Sequence, residues 1–276
     1  MSDARKARAL VLGAGGYLGQ RIIGGRDTFL AVDIGRVTTV SDLAQARDRI
    51  ARAIEENPDA PVVNCLGRRH ASSAELMLLN GDLPKTVVEA AEQSGTRVIH
   101  LGSAAEMLQP LKRENRTEVE IPDAARAYAN SKRAGTQSVS AYAHGIVLRV
   151  HNLHGLPHQE HSGLHRMCLA VKAAQQGEFA EPVVDTVRDY VHWEEVVTAV
   201  DLALASVSSG VIDICSGVGI SMSDIANGLP PPVRDVVSSI IVPADLFAPV
   251  VGLSKDLDAS VLKIALSTEV LECASL

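Results

Sequence analysis

No apolar run in this 276-residue chain approaches the ~20 residues of a membrane span, so no membrane partner is expected and the chain reads as soluble. The charged start is followed by an apolar stretch only from Ala9 to Leu12 before glycines intervene, which reads as a first strand rather than an export signal. Cysteine is scarce and scattered: Cys65, Cys168, Cys215 and Cys273 form no CxxC, as expected of a reduced, cytoplasmic protein. Positive charge is in deficit. A net charge of −7 gives no overall attraction to phosphate polymers, so no nucleic-acid partner is expected. Internal repeats and low-complexity tracts are also absent.

What is there is an alternation of short apolar runs with amphipathic stretches. Ala9–Leu12, Thr28–Asp33, Arg36–Val40, Pro61–Leu66, Arg97–Leu101 and Gly145–Val150 read as strands. Helices are expected from Ser41-Asp42 to Asn57-Pro58, over 73–94 and over 124–144. Six such alternations predict a doubly wound parallel α/β sheet. Beyond Val150 the texture changes. Residues 151–163 read as a loop over a site, followed by helices over 164–176 and 193–206, a strand at 211–215, a turn at 228–232 and a last strand over 236–242.

Three local patterns carry chemistry. The turn Gly13-Ala-Gly-Gly-Tyr-Leu-Gly19 follows a buried strand and opens a helix, where backbone amides can face a pyrophosphate. It can be counted as GxGxxxG or as GxxGxxG. Asp33, twenty residues after Gly13, stands where a carboxylate would accept from ribose hydroxyls. That charge favours NAD over NADP, while Arg36 keeps NADP open. Third, Tyr128-Ala129-Asn130-Ser131-Lys132 places a phenol and an ammonium on one helical face, after an isolated Gly102-Ser103 pair at a strand end. A phenol titrates near ~10, so a neighbouring cation would be needed to favour the phenolate.

These residues resemble the extended short-chain dehydrogenase/reductase family, the NAD-dependent sugar-nucleotide epimerases, dehydratases and reductases. The likeness runs through the glycine turn with Tyr17-Leu18, then Val62-Val-Asn-Cys-Leu-Gly67, Asn80, Val98–Ser103, Val147–Asn152, Arg188–His192 and Ile212–Gly217. It implies a Rossmann-type sheet over 1–153 and 186–217, with a small C-terminal substrate domain from 154–185 and 218–276. It further implies Tyr128 as general acid/base, Lys132 holding the nicotinamide ribose and lowering the Tyr128 pKa, and Ser103 bonding the substrate oxygen. Gly13, Gly16, Tyr17, Leu18, Gly19, Asp33, Leu66, Gly67, Asn80 and Lys132 would hold the cofactor. Asn152, His154 and Arg188 would contact the substrate. The implied partners are a nucleotide-linked sugar and a second copy in a homodimer, with Leu76, Leu78, Leu79, Val87 and Val88 as contributors unless they face the sheet.

Departures from the family narrow the reaction. Ser103 is followed by Ala104-Ala105, not by the Asp-Glu pair of the dehydratases, and Glu106 should point elsewhere. Hydride transfer at a secondary alcohol or ketone is therefore expected, by an epimerase, a keto-sugar reductase or a small-substrate dehydrogenase using NADPH. A non-catalytic nucleotide sensor or scaffold of the same fold is the remaining alternative. Histidines 151, 154, 158, 161 and 165 recur at gaps of three and four, but Gly155, Pro157 and Gly163 interrupt any helical stripe, so no metal is expected.

Overall fold

The computed structural model describes residues 8–108, 123–243 and 259–275. They fall into two compact units: 8–107, 123–150 and 194–214 make the first, and 108, 151–193, 215–243 and 259–275 the second.

The first unit is a six-stranded parallel sheet flanked by helices. In chain order its elements are β1 (Ala9–Leu12), α1 (Tyr17–Ile23), β2 (Phe29–Val32), α2 (Val40–Glu56), β3 (Val62–Asn64), α3 (Ser73–Met77), α4 (Leu83–Glu92), β4 (Val98–Ser103), α5 (Asp123–Ser140) and β5 (Gly145–Val150). It is completed by α7 (Trp193–Ala205), nearly all of which lies in this unit, and β9 (Gly210–Ile214). The strand order is β2-β1-β3-β4-β5-β9, with Leu10 paired to both Leu30 and Val62, Val62 to Val98, and Ile146 to Gly210. Every residue of β1 is buried, as a strand covered on both faces must be. The chain leaves β1 toward β2 and returns through α2 to β3 on the other side. The carboxyl ends of β1 and β3 thus form the switch point at which such sheets open a crevice.

Local chemistry explains the helix boundaries. Ala46, Ile50 and Ile54, four apart, bury one face of α2 against the sheet. Arg36–Val40 does not form the third strand expected; α2 starts at Val40, one residue before the expected cap. Asp42 Oδ2 accepts from the Thr38 and Thr39 amides at 2.8 Å each, which commits the preceding residues to a helix entry. The helix expected over 73–94 is interrupted by a π turn, Leu78–Asp82. Its extra residue turns Asn80 inward and presents its backbone to α5. There Gly135 has no room for a side chain: a Cβ would collide with the Asn80 carbonyl oxygen and sit 3.0 Å from Pro84 Cγ. Leu76, Leu78, Val87 and Val88 are buried, with Val87, Val88 and Leu79 in the core beside the sheet.

The second unit contains β6 (Asn152–His154), α6 (Gly163–Gln176), β7 (Val183–Asp185), β8 (Arg188–His192), β10 (Gly219–Ile220), α8 (Met222–Asn227), α9 (Pro231–Ile240), β11 (Ile241–Pro243) and α10 (Ala259–Ser275). It takes in 151–153, 186–193 and 215–217, which the sequence grouped with the nucleotide-binding sheet, because β8 pairs with β6 on one side and with β10 on the other. The strand expected over 236–242 is mostly helix. Pro231 presets the first turn of α9 and Val233 and Val237, four apart, pack into the core, so tertiary burial outweighs the β-branched side chains. The α10 helix was not anticipated, although Leu262, Leu266, Val270 and Ala274 repeat every four residues on its buried face.

The close approach of α5 to the π turn makes Gly135→Ala a sensitive probe. Overpacking there should cost about 1–3 kcal/mol, seen as a lowered thermal unfolding midpoint; an unchanged midpoint would contradict the packing described.

Candidate active site

The first unit gathers three of the expected residues at the carboxyl end of β4. Ser103 ends that strand, and Tyr128 and Lys132 project from one face of α5. The Ser103 hydroxyl oxygen accepts from the Ala105 amide at 3.3 Å and shares a hydrogen bond with the Tyr128 phenol. Lys132 Nζ donates to the Leu101 carbonyl at 2.7 Å. A Cβ on Gly67 would lie 3.6 Å from the same Nζ, so the ammonium sits directly against the backbone that leaves β3.

What fixes Ser103 is a residue the sequence had placed elsewhere. A 3₁₀ turn, Ala104–Met107, folds Glu106 back beneath the strand end, and its side chain is almost fully buried. Glu106 Oε1 accepts from the Ser103 amide at 2.8 Å and from Thr136 Oγ1 at 2.9 Å, while Oε2 pairs with Arg149 Nε at 3.4 Å. Arg149 in turn reaches Asp213 at 3.3 Å. Gly102 makes the space: a Cβ there would meet Glu106 Oε1 at 3.0 Å and Val147 Cγ1 at 2.9 Å. Arg133 donates to the Glu106 carbonyl, tying the turn to α5. The sequence signal was a Glu three residues past a strand-ending Ser, legible only if a turn follows.

Asn80 acts by positioning. Its Oδ1 accepts from the Arg68 amide at 2.8 Å, and its Nδ2 donates to the Arg68 carbonyl at 2.8 Å and to Ser131 Oγ at 3.0 Å. Ser131 Oγ then donates to the Tyr128 carbonyl at 2.8 Å. Asn80 therefore clamps the loop after β3 to the turn of α5 that carries the phenol.

Electrostatics modify the expected Tyr-Lys partnership. Burial, with a contribution from the Glu106 charge, pushes Tyr128 above its ordinary value, against the lowering by the Ser103 hydrogen bond and the Arg69 guanidinium. The lowering by Lys132 that the family resemblance implied is not found. At neutral pH Tyr128 is a phenol, a proton donor. Desolvation brings Lys132 down to about 8, despite the opposing Glu106 and Cys65. Burial pushes the Cys65 thiol up to about 12, so it is not a thiolate nucleophile. His100, fully buried behind Lys132, is held well below its usual value by desolvation and then by that ammonium.

The glycine turn is built for close approach. Gly13 has φ +76°, and a Cβ there would stand 3.0 Å from the Cys65 carbonyl carbon and Leu66 nitrogen. A Cβ on Gly19 would collide with the Gly13 carbonyl, while one on Gly15 would meet nothing within 4 Å, leaving that backbone open to a ligand. Gly16 caps α1 with its amide on Gly13 O at 3.0 Å, and Leu18 lies within that helix. The Arg21 guanidinium stacks 3.6 Å over the Tyr17 ring. Leu66 donates its amide to Asn64 Oδ1 at 3.1 Å. Asp33 lies exposed after β2, accepting from the Gly35 amide at 2.8 Å with Arg49 Nη1 at 3.9 Å.

The three expected substrate residues lie in the second unit. Asn152 Nδ2 donates to the Asp189 carbonyl at 3.2 Å, and Arg188 Nη1 donates to the Val187 carbonyl at 3.0 Å. His154 Nδ1 is engaged by Glu269 Oε1 at 2.9 Å. Burial would raise the Glu269 carboxyl, but the bonds from His154, His158 and the Gly155 amide prevail and hold it at about 2.

Comparison with known proteins gives the family and the fold. The model of the NAD dependent epimerase/dehydratase family matches residues 9–215, well over half of the chain, and the chain belongs to that family of extended short-chain enzymes. No curated protein matches it. Among solved structures it is similar to the Bordetella bronchiseptica enzyme WbmG in complex with NAD and UDP (20% identity, TM-score 0.67, covering 98% of this chain and 89% of that one). It is similar to the dTDP-4-dehydrorhamnose reductase of Bacillus anthracis in complex with NADP (13%, 0.67, 98% and 100%). A third is the Thermus thermophilus UDP-glucose 4-epimerase with NAD (18%, 0.61, 97% and 99%). At these identities the likeness is one of fold. Among the described residues no helix is long and apolar enough to cross a membrane.

The depressed Lys132 makes a signed prediction. Its folded value lies below that of free lysine, so the buried ammonium costs stability below about 8, and this cost is relieved as pH rises from about 8 toward ~10.4. Urea unfolding from pH 7 to 10 should therefore show wild type gaining up to about 3 kcal/mol relative to Lys132→Met. Parallel pH curves would contradict the assignment.

Proposed function

We propose that the protein is an NAD(P)-dependent enzyme transferring hydride at a secondary alcohol or ketone of a nucleotide-linked sugar. The observation that carries this reading is the Ser103–Tyr128 hydrogen bond, with Lys132 on the same helical face. Family membership and the nucleotides named with the similar structures support it.

When bound, a nicotinamide dinucleotide supplies the hydride acceptor or donor for the reacting carbon. The open backbone at Gly15 and the close-packed Gly13 and Gly19 suit its pyrophosphate, and Lys132, beneath Gly67, is assigned to its nicotinamide ribose. Asp33 suits the hydroxyls of an adenosine ribose, which favours NAD; Arg49 beside it and Arg36 nearby keep NADP as the second reading. Ser103 donates to the substrate oxygen, while its own oxygen is held by the Ala105 amide. Tyr128 Oη gives its proton to that oxygen as a ketone becomes an alcohol, or takes it in the reverse direction.

Water elimination does not suit the site. The acid/base pair of the dehydratases is replaced by Ala104-Ala105, and both Glu106 oxygens are committed beneath Ser103. Net oxidation or reduction, or epimerisation, remains. Arg188 is assigned to the substrate phosphates, whose planar pairing with guanidinium it can satisfy. The cytoplasmic location and the homodimer are parts of the same proposal.

Tyr128→Phe tests it. Turnover of a nucleotide-linked keto-sugar should fall by ~10²–10⁴-fold while dinucleotide affinity, read by fluorescence titration, stays within a few-fold. Unchanged turnover would refute the role of Tyr128, and absence of any dinucleotide binding in wild type would refute the whole reading.

A further inference from the structure

The second unit contains a cluster, buried at two of its three members, that the proposed reaction does not use. His158 comes from the loop before α6, Cys168 from α6, and Cys273 from α10, and one ligand atom of each lies within 4.8 Å of the other two. Cys168 Sγ is 3.4 Å from His158 Nδ1. In a tetrahedral zinc site, bonds of ~2.3 Å to sulfur and ~2.0 Å to nitrogen put neighbouring donors about 3.5 Å apart. This pair already stands at that spacing.

The imidazole is oriented for such a role. Glu269 Oε2 accepts from His158 Nε2 at 3.2 Å, so the proton is on Nε2 and the Nδ1 lone pair faces the thiols. A histidine that ligates a metal characteristically hands its other N–H to a carboxylate. Glu269 is itself fixed by the Gly155 amide at 2.9 Å and by His154 Nδ1 at 2.9 Å, and His192 stands edge-on to His154 at 5.0 Å. Glu269 and Cys273 are four apart on α10, so one helical face presents both the orienting carboxylate and a ligand. His154, His192 and Glu269 also lie close together, but both Glu269 oxygens are taken by these donors.

We propose that His158, Cys168 and Cys273 bind one Zn²⁺ ion, with Glu269 as the partner that orients His158. Two sulfurs and one nitrogen select zinc over magnesium or calcium. On binding, Cys168 and Cys273 each release a thiol proton to solvent, and the two thiolates neutralise the dication, as a site where His158 and Cys168 are buried requires. The fourth position is left to a water. The ion would cross-tie α6, α10 and the loop between β6 and α6. No helical stripe of histidines betrays this site in the sequence; the sulfurs arrive from ten and 115 residues after His158.

The test uses the full chain, reduced and stripped of metal, titrated with Co²⁺ and then Zn²⁺. We expect a thiolate-to-cobalt charge-transfer band saturating at one equivalent, its loss on adding Zn²⁺, and a Zn²⁺-dependent rise in thermal midpoint. Cys273→Ser should abolish the band, Glu269→Gln should keep it with affinity weakened roughly 10- to 100-fold, and Cys215→Ala should leave it unchanged. A wild-type chain without the band, a band retained in Cys273→Ser, or a Cys168–Cys273 disulfide in protein made in a reducing cytoplasm would overturn the proposal. Should Cys273→Ser fail to fold, X-ray absorption of the zinc-loaded wild type decides: two sulfurs in the first shell support the site, and a shell of nitrogen and oxygen alone overturns it.

Discussion

The buried Glu106 carboxylate is the interaction on which the candidate active site depends. It receives the Ser103 amide, the Thr136 hydroxyl and the Arg149 guanidinium, groups drawn from the end of β4, from α5 and from β5. Removing one partner of such a buried pair characteristically costs ~3–5 kcal/mol, because the remaining groups are left without compensation. Here the bond to Arg149 is offset by hydrogen bonds to uncharged donors on the same carboxylate. The result is a strand end held at a fixed height against the helix that carries Tyr128. Gly102 is the steric condition for it, since any side chain would occupy the space of the carboxylate.

A second clamp works from the opposite side of α5. Asn80, turned inward by the π turn, joins the loop after β3 to Ser131, and Ser131 holds the Tyr128 carbonyl. The phenol is thus positioned from both neighbours of its helix, and Lys132 is buried between them with its charge only partly compensated. An ammonium in that position is tuned toward neutrality, and a phenol beside it remains protonated. Both shifts arise from desolvation, so the site is set up electrostatically by its depth.

Much of this was legible in the sequence, where the physics is local. The buried run at β1, the four-residue spacing in α2, the glycine turn and the Tyr-Lys pair each declare themselves within a few residues. Glu106 did not, because its role depends on a short 3₁₀ turn that reverses its direction. Asn80 was located, but its function as a clamp follows from a one-residue irregularity that no periodicity reveals. Arg36–Val40 looked like a strand by composition, and the Asp42 side chain, by capping α2, decided otherwise. The thiols beside His158 were the least legible, because nothing in local spacing connects Cys168 and Cys273 to a histidine loop. In each case what was missed depends on contacts between segments distant in sequence.

The most direct test of the central claim is a double-mutant cycle on turnover with Ser103→Ala, Glu106→Gln and the double variant, every protein first shown to be folded at the assay temperature. If Glu106 acts on the reaction by holding Ser103, the two losses will be strongly non-additive, and Glu106→Gln will cost little once the hydroxyl is gone. Independent, multiplying losses would contradict the account.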